Sequence, residues 1–329
     1  MAQQNYPLNQ RRLRANEHIR QLAAQVYVHH HDFIQPLFVD ESLSDRQPTT
    51  HLTGVYTDTV ESVLKQIESD VAAGVTKFLL FPIPSSKAVH GFNFDFAVKV
   101  TERIKQTFGN SIWLANDVCL CSYTTHGHCG VLNTTGTLLL NNETVEVLAN
   151  YSLQLAQAGS DCIAPSDMSD SRILAIRRVL DDNTLDNVAI MSYAAKFASS
   201  FYGPFRDVCK SAPGGVQLSG RNTYQLDYRN TNDAIASALR DAAEGADILM
   251  VKPATPYLDI VQQLSLQVHK PLAVYHVSGE YAALELLAQN TLGERNDLHM
   301  EVWASFKRAG ASIIISYAAR NAKAWLSLR

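Results

Sequence analysis

The sequence predicts an α/β protein built as a (β/α)8 TIM barrel with an N-terminal arm. Three observations support this prediction: eight short apolar segments, helical stretches that separate them, and glycines placed where those helices end. The length of 329 residues suits one barrel, because such barrels commonly occupy about 200 to 400 residues. We therefore expect residues 1–32 to form the arm and residues 33–329 to form one barrel domain.

The eight apolar segments are nearly continuous rather than alternating, which is typical of parallel strands covered on both faces. They are Phe33–Val39, Lys77–Phe81, Ile112–Ala115, Asp161–Ala164, Val188–Met191, Ile248–Val251, Leu272–Tyr275 and Ser312–Ser316. An open doubly wound sheet is the competing architecture. No G-x-G-x-x-G sequence follows the first strand, and this absence favours the barrel.

The segment Thr57–Ala73 illustrates the repeated helix, turn and strand. Its apolar residues recur at the spacing of one helix face. Gly74 follows where helices often close with a left-handed residue, and the next strand begins at Lys77. The same arrangement precedes later strands at Gly159, Gly245 and Gly310.

The arm region is polar at Met1–Arg14 and lacks the apolar core of a signal peptide. A helix is predicted over Glu17–Val28. Two interpretations of the arm stay open: a solvated tail, or an arm that grips a neighbouring subunit.

Composition argues for a cytoplasmic protein that binds neither nucleic acid nor membranes. Lys and Arg total 28 against 32 Asp and Glu, for a net charge of −4, and no apolar run approaches the roughly 20 residues of a membrane span. The cysteine count of five is odd, which disfavours a secreted disulfide framework. We expect Cys162 to pack within a strand and Cys209 to lie in a polar loop.

Three of the cysteines, Cys119, Cys121 and Cys129, cluster in the segment NDVCLCSYTTHGHCG after the third strand. Thiolates are ligands that zinc prefers. His126 or His128 would complete a closed structural site, whereas a catalytic site keeps its fourth position open for water or substrate. Three unligated thiols are the remaining alternative.

Lys196 and Lys252 follow the fifth and sixth strands, which are neighbours in a barrel. Burial and a nearby like charge both lower the pKa of a lysine, and a neutral amine can form a Schiff base with a carbonyl. The long segment between them, Phe197–Asp227, resembles an active-site lid, and its arginines suit a substrate carboxylate. Reactive side chains at the ends of six consecutive strands indicate an enzyme.

These residues and the strings around them resemble the porphobilinogen synthase family, also called delta-aminolevulinic acid dehydratase. The strings are NDVCLCSYTTHGHCG, APSDM, SYAAKFASSFYGPFRD, TYQLD, MVKP followed by YLDI, and YHVSGEY. The likeness runs from about Asp32 to the C-terminus. It implies a TIM-barrel lyase, assembled as a homo-octamer through its arms. That lyase would condense two 5-aminolevulinate molecules into porphobilinogen plus two waters, in tetrapyrrole (haem) biosynthesis.

The resemblance also assigns roles to residues. It implies that Lys252 forms the Schiff base with the first substrate and that Lys196 is its partner at the second. The implied substrate-binding residues are Asp117 and Ser166 for the first amino group, Ser278 and Tyr317 for the first carboxylate, and Arg206, Arg221 and Gln225 for the second carboxylate.

The metal sites implied by the resemblance are limited to one catalytic zinc ion per subunit, held by the three clustered cysteines. Some members carry a further thiol where Thr223 stands, so we expect no second thiolate-bound zinc. Members activated by allosteric magnesium use a glutamate where Ser237 stands, and we expect no magnesium there. The lid differs from the family pattern by about three extra residues before Arg221, and Ser219-Gly220 replaces the usual Gly-Asp.

Two alternative functions each leave part of the pattern unused. A Schiff-base aldolase on a TIM barrel would employ the two lysines but give the three cysteines no task. A non-enzymatic, zinc-stabilised binding protein would employ the cysteines but neither the paired lysines nor the lid arginines.

Overall fold

A closed barrel of eight parallel strands forms the centre of the computed structural model, which describes residues 9–327. The strands are β1 (Phe33–Asp40), β2 (Lys77–Ile83), β3 (Trp113–Val118), β4 (Cys162–Pro165), β5 (Ala189–Lys196), β6 (Ile248–Lys252), β7 (Leu272–His276) and β8 (Ile313–Ser316). Each strand pairs in parallel with the next. The last strand pairs with the first through Phe33↔Ile314 and Ile34↔Ile315. This closure confirms the predicted TIM barrel and rules out the open sheet.

Helices separate the strands and form the outer layer. They are α1 (Glu17–Ala23), α2 (Val60–Ala72), α3 (Asp95–Phe108), α4 (Asn141–Gln157), α5 (Arg172–Asp182), α6 (Gly203–Val208), α7 (Thr231–Ala243), α8 (Leu258–Ser265), α9 (Ser278–Gln289), α10 (Arg295–Ala309) and α11 (Ala322–Leu326). Among the residues described, no helix is long and apolar enough to cross a bilayer.

The predicted helix stops account for the turns before four strands. Gly74, Gly159, Gly245 and Gly310 all have φ between +94° and +111°, a left-handed conformation that a side chain disfavours. Each therefore ends a helix and redirects the chain toward the barrel. This geometry explains why the order of helix, glycine and strand recurs along the sequence.

Some element boundaries differ from the prediction. The first arm helix ends at Ala23 rather than at Val28, and α2 begins at Val60 because Tyr56–Asp58 forms a short strand beside β1. Strand β5 continues to Lys196, beyond the apolar run that predicted it. Strands thus extend into the polar residues at their carboxyl ends, where apolar periodicity gives no signal. Residues 1–8 of the predicted arm and the final two residues of the predicted barrel domain lie outside the described residues.

Arg172, the first residue of α5, connects the loop after β4 to β5 and α7 through a fully buried ionic network. Its guanidinium lies 3.1 Å from the carboxylate of Asp241 on α7 and 3.4 Å from that of Asp167 after β4. It also donates to the hydroxyl of Ser192 and to the carbonyl of Tyr193, both on β5. The charges compensate one another inside the protein, so the network holds the β4 loop against the outer layer.

We predict that the substitution R172M lowers the free energy of unfolding by about 3–5 kcal/mol, because two buried carboxylates lose their common partner. Urea denaturation measures this loss. As a control, R229M breaks the exposed pair between Arg229 and Asp227, and we expect it to leave the denaturation midpoint unchanged. A loss in R172M no greater than that in the control would contradict the role given to Arg172.

Candidate active site

The two predicted lysines meet at the carboxyl end of the barrel. Lys196 ends β5, Lys252 ends β6, and the two residues pair directly in the sheet register. Both are buried, with exposed fractions of 5% and 4%. Because parallel strands bring their carboxyl ends to the same side, the structure places two amines in one enclosed space.

Aromatic rings surround the amine of Lys252. Its Nζ lies 3.9 Å from the ring centre of Tyr275, 4.9 Å from that of Phe205 and 5.0 Å from that of Tyr193. Burial, followed by the positive charge of Lys196, lowers the pKa of Lys252 to about 7. A lowered pKa makes the neutral amine, which can act as a nucleophile, more accessible near neutral pH.

Lys196 and Asp117 complete the polar centre of this space. The Lys196 amine donates to the main-chain carbonyl of Ser166, which follows β4. Burial raises the pKa of Asp117 on β3, while the charges of Lys196 and Lys252 oppose that shift. The buried Oδ1 of Asp117 has no hydrogen-bond partner among the described residues. It is therefore available to a ligand that enters the cavity.

The three predicted metal-binding cysteines lie together in the loop after β3. The sulfur atoms of Cys119, Cys121 and Cys129 are within 4.8 Å of one another, and all three residues are buried. Burial raises the pKa of Cys119 well above its usual value. Hydrogen bonds from Cys119 and Cys121 lower the pKa of Cys129 well below it. Three converging soft ligands of this kind suit zinc.

The histidines nearby do not join the cluster. Within residues 9–327 the group of possible ligands contains the three cysteines alone. Both ring nitrogens of His128 are engaged, one 2.7 Å from the Leu218 carbonyl and the other 3.1 Å from the Tyr224 hydroxyl. The Nδ1 of His126 accepts from the His128 amide. This arrangement favours the open site over the closed one.

The predicted residues for the second carboxylate gather in the lid. Arg221 and Gln225 are buried, and Arg206 projects from α6. Buried polar atoms on all three have no partner in the described structure: Nε of each arginine and both side-chain polar atoms of Gln225. Unpaired buried donors are costly unless a ligand satisfies them, so this group favours an anion.

Ser278 and Tyr317 each contact an aromatic residue that surrounds Lys252. The hydroxyl of Ser278 accepts from the Phe205 amide at 3.1 Å and donates to the Phe201 carbonyl at 3.2 Å. Tyr317 lies 3.3 Å, hydroxyl to hydroxyl, from Tyr275, whose ring contacts Lys252. The structure therefore brings all predicted site residues to one end of the barrel.

Sequence reasoning missed several residues of this site. Tyr193, Tyr275 and Phe205 enclose Lys252, but the two tyrosines lie within apolar strands and give no signal that separates them from ordinary core residues. The predicted environment of Cys209 was wrong. Instead of lying in a polar loop, Cys209 is buried at the end of α6 and lines a cavity with Asp117 and Cys121.

Residues 8–325 match the model of the family described as "Delta-aminolevulinic acid dehydratase". The chain belongs to the delta-aminolevulinic acid dehydratase family. The predicted family and the activity that it names are thereby confirmed.

Relatives from this family cover nearly the whole chain. Two bacterial delta-aminolevulinic acid dehydratases are those of Helicobacter pylori, 44% identical over 94% of this chain and 96% of the relative, and of Bacillus subtilis, 38% identical over 96% and 97%. A solved structure from Toxoplasma gondii, a delta-aminolevulinic acid dehydratase (porphobilinogen synthase) in complex with the reaction product porphobilinogen, superposes with a TM-score of 0.93 at 36% identity. That alignment covers 97% of this chain and 92% of the other.

Ser237, the position predicted to lack a magnesium ligand, lies on α7 behind the site. Its hydroxyl donates to the Ala194 carbonyl at 2.8 Å. The guanidinium of Arg240 lies 3.4 Å from the same hydroxyl and pairs with Asp170 and Asp241. The Ser237 hydroxyl is therefore held by a main-chain carbonyl and lies beside an ion-paired arginine.

We predict that K196M raises the pKa of Lys252 above about 7, because a like charge is removed. Cyanate carbamylates neutral amines, so its rate at Lys252 rises as pH passes through the pKa. Peptide mass spectrometry at several pH values then gives the midpoint, which should shift upward in the variant. K65M removes an exposed lysine on α2 and should leave the midpoint in place. An unchanged or lowered midpoint in K196M would refute the coupling between the two amines.

Proposed function

We propose that this dehydratase condenses two molecules of 5-aminolevulinate into porphobilinogen plus two waters, through Schiff bases on Lys252 and Lys196. The observation that carries the proposal is the pair of buried lysines in direct register, one with a pKa of about 7. Loss of water from the joined substrates makes the enzyme a hydro-lyase.

The first covalent step follows from the protonation states. The neutral amine of Lys252 attacks the ketone carbon of the first substrate, a C–N bond forms, and the carbonyl oxygen becomes a hydroxyl. Loss of that hydroxyl as water needs a proton. Asp117, whose pKa is raised by burial, is placed to supply it. Ser278 and Tyr317 orient the substrate carboxylate beside the lysine.

The second substrate binds under the lid. Arg206, Arg221 and Gln225 offer unpaired polar atoms to its carboxylate, and Lys196 lies on the strand next to Lys252. When bound to the three cysteines, zinc would polarise a substrate carbonyl and lower the pKa of its own water. The proposal assigns one zinc ion per chain and no magnesium at Ser237, because serine offers no carboxylate and its hydroxyl is bonded to the Ala194 carbonyl.

Alternative functions use less of the site. An aldolase would use the two lysines but leave the cysteine cluster without a role, while a zinc-stabilised binding protein would not need an amine with a pKa near 7. The family match also disfavours both. We further propose a cytoplasmic homo-octamer assembled through the N-terminal arms.

The Schiff base can be trapped chemically. We expect incubation with 5-aminolevulinate followed by borohydride to leave a stable adduct on Lys252, located by peptide mass spectrometry. K252M should lose the adduct and reduce porphobilinogen formation by at least about 1,000-fold, in the range of losses seen when a catalytic nucleophile is removed. The control K65M should keep both. Absence of an adduct on either lysine, together with no pyrrole product, would refute the proposed function.

The cysteine cluster predicts zinc dependence. We expect about one zinc ion per chain by elemental analysis, loss of porphobilinogen formation after chelation, and recovery when zinc is returned. C129S should bind less zinc, whereas C162S, which changes a buried cysteine of β4 outside the cluster, should bind as much as the parent. Full activity in thoroughly metal-free buffer would overturn the assignment.

A further inference from the structure

We infer that metal binding by the three cysteines and closure of the lid are coupled, with His128 as the positioning residue that joins them. The cysteine loop is defined here as residues 119–130 and the lid as residues 197–227. The inference rests on the proposed zinc site and concerns its regulation. Its basis is the set of direct bonds between these two segments.

Six hydrogen bonds join the cysteine loop to the lid within the described chain. The pairs are Ser122 to the Cys209 carbonyl, Gly214 amide to the His126 carbonyl, Arg221 to the Gly127 carbonyl, His128 to the Leu218 carbonyl, Tyr224 hydroxyl to His128, and Cys129 amide to the Tyr224 hydroxyl. The bonded lid residues run from Cys209 to Tyr224, which is the second half of the lid. The lid thus closes on the metal-binding loop itself rather than only on substrate.

His128 makes the central connection because it uses both ring nitrogens. The carbonyl of Leu218 can only accept, so Nε2 carries the proton of the 2.7 Å bond. In the neutral ring Nδ1 then accepts from the hydroxyl of Tyr224 at 3.1 Å. The same hydroxyl accepts from the amide of Cys129, and the Tyr224 ring packs against the cysteine cluster. One side chain therefore fixes two lid residues relative to one metal ligand.

The close approach at Gly127 makes this contact specific. Gly127 has φ of +71°, and a Cβ atom there would lie 2.4 Å from the carbonyl oxygen of Ala212 in the lid. Arg221 bridges the same point, donating to the carbonyls of Gly127 and Ser211. The two backbones touch, so a shift of the cysteine loop cannot leave the lid in place.

The part of the lid that departs from the family pattern takes part in this contact. The amide of Leu218 donates to the carbonyl of Gly136, while its own carbonyl accepts from His128. Leu218 therefore lies between the cysteine loop and the turn that follows it. The extra lid residues before Arg221 are held by the metal-binding region through main-chain groups.

Coupling follows from linkage. A metal ion fixes the three sulfurs and with them the Cys129 backbone, which favours the lid conformation bonded to Tyr224 and His128. By reciprocity, loss of these lid bonds must weaken metal binding by the cysteines, by the same factor as metal binding favours the bonded lid. Coupling of this kind typically amounts to about 5- to 150-fold in affinity.

Hydrogen exchange tests the first half. We expect the amides of residues 209–225 to exchange at least about five-fold more slowly in the zinc-loaded chain than in the zinc-free chain, without substrate. H128F keeps a ring but removes both bonds, and it should shrink this zinc-dependent difference. If His128 had only a structural role, H128F would change amide exchange equally in the zinc-loaded and the zinc-free chain. Rescue of the difference in H128Q, whose amide can donate and accept, would support the positioning role.

Zinc release tests the reciprocal half. Transfer of zinc to a chromogenic chelator should be at least about five-fold faster in H128F and in Y224F than in the parent, and unchanged in H269F, which alters an exposed histidine. If H128F fails to fold, Y224F still tests the inference, because it removes the Tyr224 hydroxyl that bonds His128 and Cys129. A chain that binds zinc but shows equal lid exchange with and without it overturns the inference alone. A chain that binds no zinc overturns the proposed metal site as well.

Discussion

Burial of two like-charged amines in one space is the constraint on which the rest of this site depends. Lys196 and Lys252 are opposite each other on adjacent strands, so neither can move away from the other without breaking sheet register. With both protonated, the pair would be costly in a desolvated cavity. Asp117 supplies an opposing charge, but its own burial disfavours ionisation. The pKa values of Lys252 and Asp117 are therefore interdependent, since the charge of each favours the ionised form of the other.

The outer layer of the barrel stabilises the strand ends that carry these groups. Arg172 holds the loop after β4 through its ion pair with Asp167, and it also pairs with Asp241 on α7. Glu280 acts similarly on the other side, where its carboxylate accepts from the amides of Val277, Ala254 and Thr255. These bonds tie the loop that follows Lys252 to the start of α9, where Ser278 lies. These buried groups therefore support the loops that carry the candidate site residues.

The sequence predicted the parts of the molecule that depend on local pattern. Eight apolar runs and their glycine stops were enough to place the strands, and barrel closure then brought Lys196, Lys252 and Cys119 to one end. The aromatic enclosure escaped prediction, since a tyrosine within an apolar strand has the same pattern whether it faces a lysine or another core residue. Cys209 was misplaced because it directly follows α6, and a helix of only six residues shows no apolar periodicity that would mark the neighbouring residue as buried.

The existence of the lid was predicted, but its path escaped prediction for a different reason. Its path depends on bonds to main-chain carbonyls, such as those of Gly127 and Leu218, and a carbonyl is present at every residue. Sequence pattern therefore cannot indicate which of them will be used. Only the distance in space between the lid and the loop after β3 reveals the connection.

The bond between Lys196 and Ser166 has a consequence for how this enzyme can change over time. Lys196 is held by the main-chain oxygen of residue 166, not by its hydroxyl. A substitution at this position can alter what the side chain offers to a substrate while the anchor of the lysine persists. The position of the Lys196 amine therefore does not require a particular side chain at residue 166. Anchoring by the main chain thus separates the position of the lysine from the chemistry of the side chain at residue 166.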